Sequence, residues 1–391
     1  MGFILGYHSQ ITAVVKDGEV YIPNDVYLMS LEFLKEVKEV KLFLNVGYQS
    51  NRDLHPLPKN VSFVNLGRQL PMWRRMFGDS FAQSTFIQET LDVDAILIQG
   101  PTPSLKYAAK YSGNTPKFFL LVGTIMGAQK NQYRPYGYIK HLGINLMVWY
   151  IEWSQKKVFK KGIVLANNHQ NVFKYAKYTQ TYLVSKSLVS EKNISPKKSL
   201  SVHSPAKLLY YGRVAPDKHI ETIFRACSVL KSQGFRFMLQ IVGDEHPGYR
   251  KFLDSVVQSL DLKEYVIFTG KVDFESKDSI MKESDCLIFH TCGTEGFPRV
   301  IWEAFANGIP VLAAEYPGAQ GYLESYENVI LYERQNYRAL SAEILTLMGD
   351  LNLRKKLISN GRDLVQKNSL EKSHKRMIEL IKRETLKLNY R

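Results

Sequence analysis

Short apolar runs recur along this chain, each followed by a stretch with helical spacing, and that alternation restricts the fold more than any other feature. Parallel strands cannot be joined by tight turns, so apolar runs separated by helices call for parallel sheets covered by helices. In the first half the pattern predicts strands near Phe3–Gly6, Lys41–Val46, Val61–Val64, Ala95–Gln99, Phe118–Val122, Gly162–Ala166 and Thr181–Val184. A second series is expected near Leu208–Tyr211, Met238–Val242, Val266–Thr269, Cys286–His290, Pro310–Ala313 and Val329–Leu331. A chain of 391 residues exceeds the usual size of one hydrophobic core. Two α/β domains are therefore expected, over 1–190 and 207–370, with a polar, basic linker over 191–206. A C-terminal helix over 371–391 would cover the second domain or cross back to the first.

The charge narrows the partners. The chain carries 52 Lys and Arg against 37 Asp and Glu, a formal net charge of +15. Residues 1–200 hold 25 cations against 13 acids, whereas residues 201–391 hold 27 against 24. The first half should therefore attract something anionic. Two segments in it mix cations with large apolar groups: 68–77, with Arg68, Trp73, Arg74 and Arg75, and 136–161, with Trp149, Tyr150, Trp153, Lys156, Lys157, Lys160 and Lys161. Such mixtures suit an anionic membrane surface. With no recognised nucleic-acid motif beside them, no nucleic-acid partner is expected. Three cysteines without metal-ligand spacing fit a reducing cytoplasm. The opening MGFILGYHSQ reads as a first strand, and no apolar run reaches membrane-spanning length, so membrane contact would be peripheral, at the inner face.

Three elements of the second half lie in an order that carries chemistry. The first is Gly212-Arg213-Val214-Ala215-Pro216-Asp217-Lys218, directly after a strand and before a helix. Backbone leaving the carboxyl end of a parallel strand is where α/β sheets take ligands, and Arg213 and Lys218 are suited to clamp a diphosphate. The second is Val242-Gly243-Asp244, a strand running into a glycine turn. The third is Glu295-Gly296-Phe297-Pro298, with Glu303 eight residues after Glu295, followed by Gly308-Ile309-Pro310-Val311. Glu295 falls in the turn before a helix and Glu303 about two turns into it, so both should face one side.

This run resembles the retaining glycosyltransferases of the GT-B type, family 4 or group 1, typified by sucrose synthase and by bacterial lipopolysaccharide and mannosyl transferases. The resemblance covers about Lys207 to Leu364. It implies two facing Rossmann-like domains with a cleft between them, a nucleotide diphosphate sugar as donor in the C-terminal domain, and a glycan or lipid-linked glycan as acceptor in the N-terminal one. It further implies that Arg213 and Lys218 stabilise the departing diphosphate, that Glu303 accepts hydrogen bonds from the ribose, and that Glu295 holds the transferred sugar. Gly212 and Gly243 would approach the donor closely, Gly296, Phe297 and Pro298 would shape the floor beneath the sugar, and Gly270, Lys271 and Val272 would lie by the base. The acceptor would attack on the face from which the diphosphate leaves, with no enzyme nucleophile. Neither cofactor nor metal is expected, since the two cations supply the positive charge, and Asp92 and Asp94, the nearest approach to a metal-binding pair, read as structural.

The chain departs from the family pattern in places. Gly6-Tyr7-His8 replaces a glycine-rich loop after the first strand, which makes His8 a candidate for the acceptor side. Gly123 and Thr124 occupy a region where the family often has a histidine and are candidates for lining the cleft, and His219 replaces the glycine that commonly follows the motif lysine. Two other functions fit the same architecture: a nucleotide-sugar epimerase or phosphorylase, and a binding subunit without turnover.

Overall fold

The computed structural model describes residues 2–47, 53–71, 74, 80–123, 138–195, 200–246, 248–291 and 296–389. They form two compact units. One comprises the described residues up to 188 together with 370–389, and the other comprises those from 189 to 369.

The first unit contains strands β1 (Ile4–His8), β2 (Val14–Lys16), β3 (Glu19–Pro23), β4 (Glu39–Val46), β5 (Leu54–Pro56), β6 (Val61–Arg68), β7 (Ala95–Gly100), β8 (Lys117–Leu121), β9 (Ile163–Ala166) and β10 (Thr181–Leu183). Its helices are α1 (Asn24–Leu34), α2 (Ser80–Glu89), α3 (Leu105–Tyr111), α4 (Tyr138–Phe159) and α5 (His169–Ala176). Seven strands pair in parallel in the order β10-β9-β8-β7-β1-β4-β6. Side chains alternate across a strand, so each strand feeds two cores. Leu5, Leu42, Leu97 and Leu120 enter one, against α1, while Phe43, Ile96, Ile98 and Phe119 enter the other, with Phe86 of α2 and Ala108 of α3. Burial on both faces is why these strands read as unbroken apolar runs. Strands β2, β3 and β5 make a separate antiparallel sheet, with Asp17 and Gly18 at positive φ in the turn between β2 and β3. Asp94 accepts the Ile4 amide at 2.6 Å and Asp92 pairs with Lys41 at 2.8 Å.

The second unit contains β11 (Ala206–Tyr211), β12 (Phe237–Val242), β13 (Val266–Gly270), β14 (Cys286–Phe289), β15 (Val311–Ala314) and β16 (Ile330–Tyr332), with helices α6 (Ile220–Ser232), α7 (Tyr249–Ser259), α8 (Phe274–Glu283), α9 (Arg299–Ala306), α10 (Tyr337–Gly349) and α11 (Leu351–Lys367). Its sheet is parallel in the order β13-β12-β11-β14-β15-β16. The chain runs from β11 outward to β13 and then returns to the other side of β11 at β14. Between β11 and β14 lies the point where the strand order reverses, the place where open α/β sheets bind ligands.

The polar stretch over 191–206 is fastened to this second unit. Val189 is buried in its core, and the Ser195 amide donates to the Ala306 carbonyl at 3.0 Å. The buried Asp285 carboxylate accepts the amides of His203 and Lys207 at 3.1 and 2.8 Å. The last helix, α12 (Leu370–Asn389), packs on the first unit, where Met377, Ile378 and Ile381 join the core beside Phe33 of α1. Among the described residues, no helix is long and apolar enough to cross a membrane.

Candidate functional site

Three loops leave the carboxyl ends of β11, β12 and β13, and backbone hydrogen bonds lock them together. The Gly212 amide donates to the Val242 carbonyl at 2.9 Å, the Gly243 amide to the Gly270 carbonyl at 2.9 Å, and the Val214 amide to the Asp244 carbonyl at 2.8 Å. Gly243 permits this approach. A Cβ at that position would stand 1.8 Å from the Gly212 carbonyl oxygen, well inside van der Waals contact. The glycine requirement at Gly243 thus comes from its neighbour's backbone as well as from its own turn.

The cations of the first loop share one carboxylate. Arg213 Nη2 donates to Asp217 Oδ2 at 3.0 Å, and Lys218 Nζ lies 3.6 Å from the same oxygen. The Arg213 side chain is about half exposed, whereas Lys218 and Asp217 are buried. Two cations against one acid give the first loop a net positive charge, held in place by Asp217. Asp217 Oδ1 is buried and accepts no hydrogen bond from the described residues.

Lys218 ends the short turn Pro216–Lys218, and His219 then opens α6 at φ 45°, in the left-handed region. That conformation explains why glycine suits this position. In this chain the His219 ring instead lies 3.1 Å from Glu221, whose carboxylate also accepts the Tyr249 hydroxyl at 2.6 Å. Burial by itself would raise the Glu221 carboxyl, but the hydrogen bonds from His219 and Tyr249 prevail and hold it below its usual range.

On the far side of the reversal point, Pro298 precedes α9, and Glu303 lies on that helix. Lys277 of α8 donates to Glu303 Oε1 at 2.9 Å, which fixes the carboxylate and leaves its second oxygen for another donor. Burial, and then the charge of Glu303, pushes the Tyr211 phenol at the end of β11 up to about 12. Gly296 and Pro298 are buried beside Phe297, whose ring packs at 4.3 Å on Trp302 and 4.9 Å on Tyr322. Phe297 therefore forms the base of the loop through packing. Lys271 is exposed and Val272 half-buried, both directly after β13. Glu295 lies outside the described residues.

Two site residues escape sequence reasoning. Lys277 becomes visible only through its tertiary contact with Glu303. His290, at the carboxyl end of β14, is fully buried, with Nδ1 2.9 Å from the Tyr332 hydroxyl and no hydrogen bond at Nε2 from the described residues. Burial, reinforced by the charge of His219, lowers its pKa to about 4, so the ring is neutral. A polar residue ending the apolar run CLIF is the one signal that could have marked it.

In the first unit His8 is buried, with Nδ1 2.8 Å from the Phe43 carbonyl and Nε2 2.9 Å from Ser104 Oγ. Both ring nitrogens are engaged within the core, and burial lowers the pKa to about 4 against the raising effect of the Phe43 carbonyl. Any contact with an acceptor would require His8 to give up one of these bonds. The Gly123 carbonyl accepts from Asn171 Nδ2 at 3.1 Å, and Thr124 lies outside the described residues. Among the described residues, no group of three or more His, Cys, Asp or Glu side chains gathers as a metal site would require.

Residues 191–364 match the family of glycosyl transferases group 1. The amylovoran biosynthesis glycosyltransferase AmsK of Erwinia amylovora is 26% identical over 152 residues, which cover 38% of this chain and 37% of that protein. The chain spans about two fifths of the length of the curated relatives it matches. Among solved structures, sucrose-phosphate synthase from Thermosynechococcus elongatus superposes with a TM-score of 0.72 at 18% identity, over 97% of this chain and 98% of that one. The Anabaena protein HepE in complex with UDP gives 0.67 at 17% identity, over 97% and 99%. The fold is accordingly that of the two-Rossmann-domain, GT-B glycosyltransferases.

Proposed function

We propose, from the match of residues 191–364 to the glycosyl transferases group 1 family, that this chain transfers a hexose or related sugar from a nucleoside diphosphate sugar to a glycan or lipid-linked glycan, with retention at the anomeric carbon. The observation that carries this reading is the interlock of the loops after β11, β12 and β13, which presents Arg213 and Lys218 at the reversal point of a parallel sheet. As the bond from the anomeric carbon to the donor phosphate oxygen breaks, negative charge builds on the diphosphate. Arg213 and Lys218 stabilise that charge more than they stabilise the intact donor, and this difference is what accelerates transfer. The acceptor hydroxyl forms its new bond on the same face, and its proton passes to the departing diphosphate. Glu303, held by Lys277, accepts the ribose hydroxyls through its remaining oxygen. Glu295 takes the hydroxyls of the moving sugar. The work needs no cofactor or metal, and transfer should survive a chelator. Polysaccharide assembly is the setting suggested by AmsK and by the capsular polysaccharide glycosyltransferase CapM of Staphylococcus aureus.

UDP is the first nucleotide to test, because the structure of HepE, which shares this fold, holds it. A thermal-shift series with UDP, GDP, ADP and their sugars would be repeated on Lys218→Ala and Glu303→Ala. A ligand at one hundred times its dissociation constant adds about 2.7 kcal/mol of stability. One nucleotide should raise the midpoint, and both substitutions should reduce the shift. If no nucleotide moves the midpoint, the donor site is refuted.

A further inference from the structure

In the first unit, α2 packs on the edge strand β6, and its exposed residues carry no charge. They are Ser80, Phe81, Ser84, Ile87 and Gln88, and Leu91 follows in the next turn. Phe81 is 53% exposed, Ile87 52% and Leu91 83%, although a helix on a protein surface ordinarily turns charged groups to water. Residues 81, 84, 87, 88 and 91 recur at spacings of three and four, one stripe of a helix about 15 Å long. Ser84 at its middle is small, and its hydroxyl donates to the Phe81 carbonyl at 2.9 Å, so a second helix can cross closely there. The other side of α2 is core, with Ala82 and Phe86 buried.

Beside this stripe opens a groove of about 400 Å³, lined by Phe81 of α2, Asn65 of β6 and, at one end, Glu39, Lys41, Glu89 and Asp92. Lys41 Nζ stands 2.8 Å from Asp92 and 3.3 Å from Glu89, and Glu39 accepts from Ser62 Oγ at 2.8 Å. Three carboxylates thus meet one ammonium where β4 and β6 begin, away from the carboxyl ends at which parallel sheets bind ligands. The opposite end is basic. A Cβ on Gly67 would touch the Phe81 ring at 3.4 Å, which puts Arg68 at the Phe81 end of the stripe, and Arg68 and Arg74 are both exposed. Gly67 has φ 77°, where the pairing of β6 with β4 slips in register, and such a bulge turns an edge away from an added strand.

From this juxtaposition we propose that the α2 face is a dimer interface, and that its partner is a second copy of this chain related by a two-fold axis near Ser84. The two helices then run antiparallel. Phe81 of one copy covers Ile87 and Leu91 of the other, and Arg68 of each reaches the Glu39, Glu89 and Asp92 carboxylates of its partner. A patch that is basic at one end and acidic at the other complements itself when inverted, and a two-fold axis performs that inversion. A small molecule in the groove would leave Ile87 and Leu91 in water, since neither lines it. An added strand is disfavoured by the bulge at Gly67. The proposal does not rest on the donor-site reading, and it would hold if no nucleotide bound.

The test is sedimentation velocity of the full chain over a concentration series reaching about 100 μM. The wild type should form a dimer whose share grows with concentration. Ile87→Lys with Leu91→Lys should weaken that dimer by at least about a hundredfold, because each copy then brings two ammonium groups into an apolar contact. Arg68→Glu alone and Asp92→Lys alone should each weaken it by about tenfold. The two together should restore it to within about threefold of the wild type, since the exchanged charges again face each other across the axis. Glu89 still holds Lys41 when Asp92 is changed. All four positions are exposed, so melting midpoints measured on the monomers should match the wild type. A wild type that stays monomeric throughout the series would overturn the proposal, as would a mass that grows beyond the dimer. So would a dimer that survives the two lysine changes, or a double charge exchange as weak as either single one.

Discussion

Replacing Gly243 by Ala tests the interlock on which the proposed donor site is built. The added Cβ would stand 1.8 Å from the Gly212 carbonyl oxygen and 2.7 Å from its carbonyl carbon. Non-bonded atoms of this kind settle near about 3.5 Å, so the loops after β11 and β12 must part by roughly 1.5 Å. Both obstructing atoms are backbone, and no side chain can turn aside to make room. Separation would strain the three hydrogen bonds that join Gly212 to Val242, Gly243 to Gly270 and Val214 to Asp244. At about 1 kcal/mol for each bond and about 1–3 kcal/mol for overpacking, the loss reaches about 4–6 kcal/mol if all three break. For a unit of this size, that lowers the melting midpoint by roughly 10–20 °C. Gly349, at the end of α10 in the same unit, is the control, because a Cβ there meets nothing within 4 Å. Gly349→Ala should be neutral or slightly stabilising. The assay is scanning calorimetry of both variants with and without UDP. A Gly243→Ala protein that melts within about 2 °C of the control and keeps its UDP affinity would refute the interlock.

Lys218→Ala should weaken UDP binding by at least about tenfold in calorimetric titration, since a charge-assisted contact to phosphate is lost from a buried position; an unchanged dissociation constant counts against the diphosphate clamp. Glu303→Gln should weaken UDP by roughly tenfold yet leave the affinity for 2′,3′-dideoxy-UDP nearly unaltered, because the lost bonds are those to the ribose. Equal losses for the two nucleotides would move Glu303 away from the sugar. His8 and His374 in the first unit and His290 in the second have pKa values lowered to about 4, in each case chiefly by burial. Unfolded histidine titrates near about 6.5, so the unfolded chain binds the extra protons between these values. Stability should therefore be full above pH 6.5 and fall as the pH drops towards 4, by about 3 kcal/mol for each ring. His374→Phe should flatten that slope for the first unit in urea melts across this window, and an unaltered slope refutes the assignment.

The parallel strands could be read in the sequence because burial on both faces leaves them almost wholly apolar: the runs around Ala95, Phe118 and Cys286 each became strands of the two sheets. Strands β2 and β3 carried the signal of a two-residue turn, Asp17-Gly18, but three to five residues are too few for periodicity to reveal them. The site divides along the same line. What depends on chain order is visible, such as Arg213 and Lys218 after β11 or Glu303 on α9. What depends on two distant segments meeting is hidden, and that category includes the Gly243 approach to Gly212, the Lys277 grip on Glu303 and the His290 contact with Tyr332. His219 shows how the two interact. At φ 45° a residue with a side chain costs about 1–2 kcal/mol relative to glycine. Its hydrogen bond to Glu221, itself bound by Tyr249, contributes on a similar scale. The strain at the start of α6 is thus offset by contacts formed within the second unit. This is why a histidine can follow the motif lysine while Lys218 still lies beside Asp217.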